Sequence, residues 1–450
     1  MFTYLDKSEA ELKAEQQALQ QSYDSFQARA LKLNMARGKP SPDQLDLAMP
    51  LLSALPDNQT PVDQNGEDAR NYGLLSGIPE ARALMAEYLG VSAQNVIAAG
   101  SSSLNLMYDT VARAMSFGLR GNLPMHLQQI NLQIQHPDQK LRFLCPVPGY
   151  DRHFAITALF GFENIPITLN EDGPDMDEVE RHVNNDPNVK GIWCVPKYSN
   201  PTGTTYSDQV VRRFAALQPA AADFRIYWDN AYAVHDLYPD TPNATDQLLN
   251  LKDACDEAQN PDIWYMFAST AKISFAGAGI SALASSEANL TEIEAQMGIQ
   301  TIGHDKINQL RHVRWLESIA GQTGNGMAGI RMHMKRLAAL LAPKFEAVDR
   351  VLSRDLSGLN IAMWRKPKGG YFISLEVLPG TAKRTVELCK QAGVTLTDAG
   401  ATWPGGNDPN DSNIRIAPSY PSLDELELAS ELLSICVRLA ALEKLLKERS

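Results

Sequence analysis

From about residue 50 to 290 the chain alternates helix-forming stretches with short, almost wholly apolar runs, and no other feature constrains the fold as much. The runs are "NVIAA", "RFLCPV", "GIWCVP", "FRIYWD", "IWYMFA" and "GISALA". A strand with one wet face alternates apolar and polar residues, whereas a run apolar at every position must be covered on both sides. For strands separated by helices, that means a mainly parallel sheet sandwiched between helix layers. Outside this region, residues 8–33 read as an amphipathic helix leading into the turn "NMARGKPSPD". A long helical region is expected over about 305–355, with one break near "GQTGNG". It is followed by "GGYFISLEV", a helix at about 381–392, "SNIRIAPSY" and a closing helix. Ser422 and Glu425 have capping-box spacing at the start of that last helix. The expected architecture is α/β, a large domain over 51–340 and a smaller α+β domain built from both chain ends, 1–50 and 341–450.

Composition narrows the function classes. The formal net charge is −12, which argues against a nucleic-acid binder, whose footprint is a basic patch. The five cysteines are odd in number, widely spaced and free of C-x-x-C, as expected of thiols in a reducing compartment. The start, "MFTYLDKSEAELKAEQQ", is too polar and acidic for a signal or transit peptide. No apolar run reaches the roughly 18 residues that would span a membrane. The expectation is a cytoplasmic protein without membrane or nucleic-acid partners. No G-x-G-x-x-G follows an early strand with an acid about 20 residues on, so a nicotinamide-binding enzyme is not expected.

The reactive residues fall in a pattern. In open α/β sheets ligands bind in the crevice beyond the carboxyl ends of the strands. "NVIAAG" runs into Ser101, Ser102 and Ser103; "RFLCPVPG" ends at Tyr150, with His153 one turn on; "GIWCVPKYS" ends at Asn200-Pro201-Thr202-Gly203. "FRIYWD" ends at Asp229, with Tyr232 three residues later, and "IWYMFA" ends at Ser269 and Lys272. Lys272 stands among Ala, Ser, Phe and Gly with no acid nearby in sequence, a setting that desolvates an amine. Desolvation lowers a lysine's pKa and makes it the nucleophile that Schiff-base chemistry needs. Singly, each residue has an ordinary reading: a salt-bridge lysine, a capping aspartate, a packed tyrosine, or an Asn-Pro-Thr-Gly turn. Five in order on one rim point to a site.

This set, with "ARGKP", "NYGLLSGIPEAR", "GSSSLNLMYD" and "NIRIAPSYP", resembles the class I, aspartate aminotransferase-like family of pyridoxal-phosphate enzymes from about Asn34 to Pro421. Within it the chain resembles the divergent bacterial aspartate aminotransferase subgroup, a relative of the aminotransferase-like domain in some winged-helix regulators. The resemblance implies the fold type I architecture and pyridoxal 5′-phosphate as cofactor, with no metal. Lys272 would hold the cofactor as a Schiff base and shuttle the proton. Asp229 would pair with the pyridine nitrogen, and Tyr232 and Asn200 would contact the phenolic oxygen. Tyr150 would stack on the ring, in place of the tryptophan many relatives use. His153 would support Asp229 or serve as a core histidine. Gly100, Ser101, Ser102 and Ser269 would receive the phosphate, because backbone N–H groups and the dipole at a helix start favour an anion. Tyr72 would reach the phosphate of a neighbouring subunit, implying a homodimer with shared active sites.

Arg415 would clamp the substrate α-carboxylate through two parallel N–H bonds, with Gly38 beside it and Asn200 also in contact. Arg37, Lys39 and His304 are candidates for a side-chain carboxylate. One departure stands out: relatives carry a phosphate-clamping arginine eight residues after the lysine, and here that position is Ile280. The expected reaction is transamination, an amino acid (aspartate by resemblance) giving its amino group to 2-oxoglutarate in ping-pong fashion. The same core could serve another amino acid, or a β-lyase or decarboxylase, since the cofactor supplies the electron sink and the protein chooses the bond. A ligand-sensing regulator domain is disfavoured, because fewer than roughly 40 residues precede the fold and they hold no basic cluster.

Overall fold

The computed structural model describes residues 3–449. Its centre is an eight-stranded sheet of β1 (Val96–Ala99), β2 (Arg142–Val147), β3 (Glu163–Asn170), β4 (Gly173–Pro174), β5 (Val189–Cys194), β6 (Arg225–Asp229), β7 (Trp264–Ser269) and β8 (Ser281–Ala284). The spatial order is β1-β8-β7-β6-β5-β2-β3-β4. Strands β7, β6, β5, β2 and β3 are mutually parallel, while β8 runs antiparallel to both β7 and β1. Two reversals cancel, so β1 points the same way as β7. The carboxyl ends of β1, β2, β5, β6 and β7 therefore share one rim.

Continuous apolarity in these strands reflects two different cores. Val96, Ala98, Leu144, Ile192, Ile226, Trp228, Trp264 and Met266 join one buried cluster. Their sequence neighbours Ile97, Ala99, Phe143, Cys145, Trp193, Tyr227, Tyr265 and Phe267 join another. Alternate side chains of a strand leave opposite faces, so each face has its own packing layer. The exception is β3, an edge strand that the sequence reading did not single out. It carries Pro166, and seven of its eight positions are not buried because only the two-residue β4 flanks it. Edge strands tolerate both features.

A third cluster joins the chain ends. It contains Tyr4, Leu12, Leu19 and Tyr23 from the N-terminal segment and α1 (Glu9–Ala28). These meet Leu426, Leu433, Val437 and Leu445 of the last helix, Leu423–Arg449. Tyr23 donates its hydroxyl to the Leu388 carbonyl at 2.9 Å, and Arg438 binds Glu15 at 2.7 Å. The same cluster covers a three-stranded antiparallel sheet, β9 (Ala362–Trp364), β10 (Ile373–Val377) and β11 (Asn413–Ile416). The expected capping box is present: Ser422 N–H donates to Glu425 at 2.9 Å.

Four other helices matter to the site. They are α2 (Ser103–Phe117), α3 (Asp151–Leu159), α4 (Lys306–Ala320) and α5 (Gly326–Leu356), with the turn 321–325 separating the last two at the expected break. Helix α5 spans about 46 Å at 1.5 Å per residue. Its first half packs Met327, Ile330, Met334 and Leu337 under the large sheet, and its second half packs Leu341, Phe345, Val348 and Leu352 into the cluster of chain ends. No helix among the described residues is long and apolar enough to cross a membrane.

Candidate active site

At the shared rim lies a cavity of about 100 Å³. Ser102, Tyr150, Asn200, Asp229, Tyr232, Ser269 and Lys272 all line it, drawn from the ends of all five parallel-pointing strands. Gly100, Ser101, Gly38, Arg415 and Tyr72 do not.

Asp229 ends β6 and is 3% exposed. Its Oδ2 lies 3.2 Å from His153 Nε2. The His153 ring, carried on α3, is itself fixed by stacking on Trp193 with centroids 4.5 Å apart and planes 12° from parallel. The other oxygen, Oδ1, is buried with no hydrogen-bond partner among the described residues. Leaving a buried acceptor unmade costs about 1–3 kcal/mol, more for a charge, so this atom is suited to a donor brought in from outside the chain.

Lys272 follows β7 in a turn. Burial pushes its amine below the ordinary lysine value, opposed by the Asp229 carboxylate. Its Nζ lies 5.1 Å from the centre of the Tyr232 ring. Burial raises the Tyr232 phenol well above its usual range, with Tyr150 and Asp229 adding to the effect. Burial likewise pushes Tyr150 up to about 12, with Asp229 and Asp151 contributing. Both hydroxyls are therefore protonated donors at neutral pH. Asn200 follows β5, joined to Pro201 by a cis peptide. Its Oδ1 accepts from Arg415 Nη1 at 3.4 Å, which leaves the amide nitrogen to donate elsewhere.

At the other end of the cavity, Ser102 is the N-cap of α2, its Oγ accepting from Leu104 N–H at 3.2 Å. Ser103 and Leu104, the first two residues of the helix, line the cavity with it. These were missed as site residues in the sequence, although a capping serine at 102 takes the Leu104 N–H and leaves that of Ser103 as a free donor of the helix start. Gly100 and Ser101 lie just behind: the Gly100 carbonyl accepts from Ser281 Oγ at 2.7 Å, and Ser101 is exposed. Ile280 is 1% exposed within the core. Its N–H donates to Thr270 Oγ1 at 2.9 Å, and its carbonyl accepts from Thr270 N–H at 2.8 Å. Lys272 is the one cationic side chain among the described residues lining the cavity.

Arg415, on β11, is 8% exposed beside the cavity. It donates to Asp151 at 3.0 Å, to Asn200 and to Thr397, and its Nε is buried without a partner among the described residues. The Phe372 ring lies 5.0 Å from its guanidinium carbon. Gly38 backs that ring: a Cβ there would stand 2.5 Å from Phe372 Cζ. The segment carrying Gly38 is held in place by the Ala417 N–H bond to Met35 and the Thr397 hydroxyl bond to Ala36. Arg37 and Lys39 are exposed, with Lys39 over the Tyr420 ring. His304 sits near Asp109 and Arg113, away from the cavity lining. Tyr72 is 83% exposed.

The donor set fits pyridoxal phosphate. A partnerless carboxylate oxygen, a desolvated amine, two phenols and a helix start open on one cavity. Comparison with known proteins agrees. The family model described as aspartate amino-transferase matches residues 7–449. An aspartate aminotransferase of Corynebacterium glutamicum is 44% identical over 425 residues, covering 94% of this chain and 93% of its own length. The crystal structure of an aspartate transaminase from Corynebacterium glutamicum superposes with a TM-score of 0.90 at 42% identity, over 98% of each chain. The α-aminoadipate aminotransferase of Thermus thermophilus, solved with N-(5′-phosphopyridoxyl)-L-leucine, shares the fold at 18% identity, with a TM-score of 0.69 over 94% of this chain and 96% of its own. The chain belongs to the aspartate aminotransferase family and is a class I, pyridoxal-phosphate-dependent transaminase.

Proposed function

We propose that the protein binds pyridoxal 5′-phosphate in the cavity at the strand rim and transfers the amino group of aspartate to 2-oxoglutarate. The observation that carries this reading is the pairing in one cavity of the desolvated Lys272 amine with the partnerless Oδ1 of Asp229. When bound, the cofactor supplies an electron sink for the charge that develops at the amino acid's α-carbon.

The chain's own residues do the rest. Asp229, oriented by His153, would hold a proton at the pyridine nitrogen through its partnerless Oδ1. The Tyr232 phenol and the Asn200 amide would donate to the phenolic oxygen, and Tyr150 would pack on the ring. Ser102, Ser103 and Ser269 would receive the phosphate through their hydroxyls and the free helix-start N–H of Ser103; with Ile280 in the core, dipoles would take the part that a guanidinium plays in relatives. The Lys272 amine, neutral at lower pH than an ordinary lysine, would hold the cofactor and take up and return the proton of the amino acid's α-carbon. Arg415 and Gly38 receive the α-carboxylate. Aspartate as donor rests on the named Corynebacterium relatives. Tyr72, a large aromatic left almost fully exposed, supports a homodimer in which it completes the neighbouring site. Five buried, unpaired cysteines support a cytoplasmic setting.

The test is Lys272→Ala. It should fold as the wild type does, lose the yellow absorbance of bound cofactor and lose turnover. The wild type should convert aspartate and 2-oxoglutarate to glutamate without releasing ammonia or CO2. Full turnover by Lys272→Ala would remove the lysine from its assigned role, and preference for a different donor in a panel of amino acids would replace aspartate.

A further inference from the structure

The Lys272 turn lacks the sheet hydrogen bonds that hold the residues before it, and three histidines from three separate elements converge on it. After β7, Ile273 N–H and Ser274 N–H both donate to the Thr270 carbonyl at 2.8 Å. The outward-facing groups of the next three residues each meet an imidazole. His235 Nε2 lies 3.4 Å from the Lys272 carbonyl, His333 Nε2 lies 2.7 Å from the Ile273 carbonyl, and His312 Nε2 lies 2.8 Å from Ser274 Oγ. His235 follows Tyr232 by three residues, His312 is on α4 and His333 is on α5. The three are 2%, 0% and 0% exposed. Tyr371 also approaches the Lys272 carbonyl, at 3.5 Å, but its single hydroxyl hydrogen has a better acceptor in Gln44 at 2.9 Å.

The hydrogen-bond partners assign the tautomers. His312 Nδ1 faces the Asn308 carbonyl at 2.8 Å and must donate, so Nε2 is the bare nitrogen that accepts from the Ser274 hydroxyl. His235 and His333 face carbonyls through Nε2, which must carry the hydrogen, while their buried Nδ1 atoms have no partner among the described residues. All three are then neutral. Burial agrees, pushing His235 down to about 3 and both His312 and His333 down to about 4. A buried carbonyl needs a donor, and a lysine or arginine in these places would supply one together with a positive charge beside the reactive amine. A neutral imidazole supplies the donor alone.

We propose that His235, His312 and His333 are positioning residues that fix the turn carrying Lys272, and thereby hold its amine in the reactive geometry inside the cavity. They touch the lysine's backbone and its neighbours, not its amine. This rests on Lys272 being the residue that meets the cofactor.

The experiment uses the full chain freed of cofactor. Pyridoxal 5′-phosphate is added, its attachment is followed by absorbance, the bond is trapped with borohydride, and the labelled peptide is mapped by mass. Two substitutions at one site separate positioning from bulk. H333Q keeps an amide N–H donor near the place of Nε2, and H333L removes it. Displacement of a reacting group by a fraction of an ångström to 1 Å costs about ten- to a hundredfold, so H333L should label Lys272 at least about tenfold more slowly, with H333Q within about twofold of wild type. Equal rates for the two variants would overturn the proposal, even where both melt at lower temperature, because a purely structural histidine would lower stability without separating the labelling rates. Should H333L fail to fold, H235L against H235Q gives the same comparison. If wild-type Lys272 is not labelled at all, the assignment of the lysine fails first, and the positioning role falls with it.

Discussion

A methyl group added at Gly38 is the sharpest probe of how the substrate end is built. The Cβ of Gly38→Ala would stand 2.5, 2.9 and 3.2 Å from three ring carbons of Phe372. Carbon contacts settle at about 3.5–4.0 Å, so the ring has to retreat by about 1 Å. Phe372 is 7% exposed and paired face-on with Arg415, so it cannot retreat freely. Two costs follow. Crowding destabilises the fold by about 1–3 kcal/mol. The displaced ring also shifts the guanidinium it supports, and a 1 Å misplacement of a binding group costs up to about a hundredfold. Steady-state rates with varied aspartate and 2-oxoglutarate should show KM rising about ten- to a hundredfold for both, with cofactor absorbance retained, because the lysine end of the cavity is untouched. Phe372→Leu should cost less in the Gly38→Ala background than in wild type, since it relieves the overlap. Unchanged KM in a folded Gly38→Ala protein would refute the chain of contacts from Gly38 through Phe372 to Arg415.

The remaining predictions concern charge and packing. Asp151 occupies Arg415 at 3.0 Å while 35% of its side chain is exposed, so Asp151→Asn should release the guanidinium for substrate and lower KM by about two- to fivefold; a raised KM would show instead that the pair orients the arginine. His235, His312 and His333 have folded pKa values below the ordinary 6.5. From pH 6.5 down to about 4, the unfolded chain therefore takes up protons that the folded chain refuses. Stability should fall with falling pH in that window, by at most about 1.4 kcal/mol per pH unit per histidine. Urea unfolding across that range should show a shallower slope for H312Q; an identical slope would mean the imidazole is protonated in the fold. Gly329→Ala would place its Cβ 1.9 Å from the Leu316 carbonyl oxygen, where α5 crosses α4. The variant should lose about 3 kcal/mol or more by denaturant melting, and a wild-type midpoint would contradict the close crossing.

The legibility of this molecule follows from how local each signal is. The buried strands announced themselves because both faces are covered, so Trp228 and Tyr227 are equally apolar although they serve different cores. Strand β3 did not, because an edge position leaves Glu163 and Asn170 wet and admits Pro166. The rim was legible because every chemical group on it directly follows an apolar run. The helix start at this rim was read one step early: Gly100 and Ser101 carry the recognisable pattern, but the helix opens after Ser102, and it is Ser102, Ser103 and Leu104 that line the cavity. The substitution at Ile280 was visible as a departure, while its packing into the core was not. The three histidines behind Lys272 left no signal at all. They come from positions 235, 312 and 333, and nothing in their neighbours marks a shared target. Contacts of that kind are written in the tertiary structure alone.

The long helix α5 has a mechanical consequence. Leu337 and Leu341 are one turn apart yet are gripped by different cores, so the helix is anchored like a beam set into two walls. Any swing of one wall against the other concentrates its bending in that single turn. Pro343 lies just beyond it and has no N–H for the Ala339 carbonyl, so a rung is already missing there. Bending between the two cores is thereby directed to the stretch just beyond His333, whose imidazole holds the Ile273 carbonyl beside the lysine.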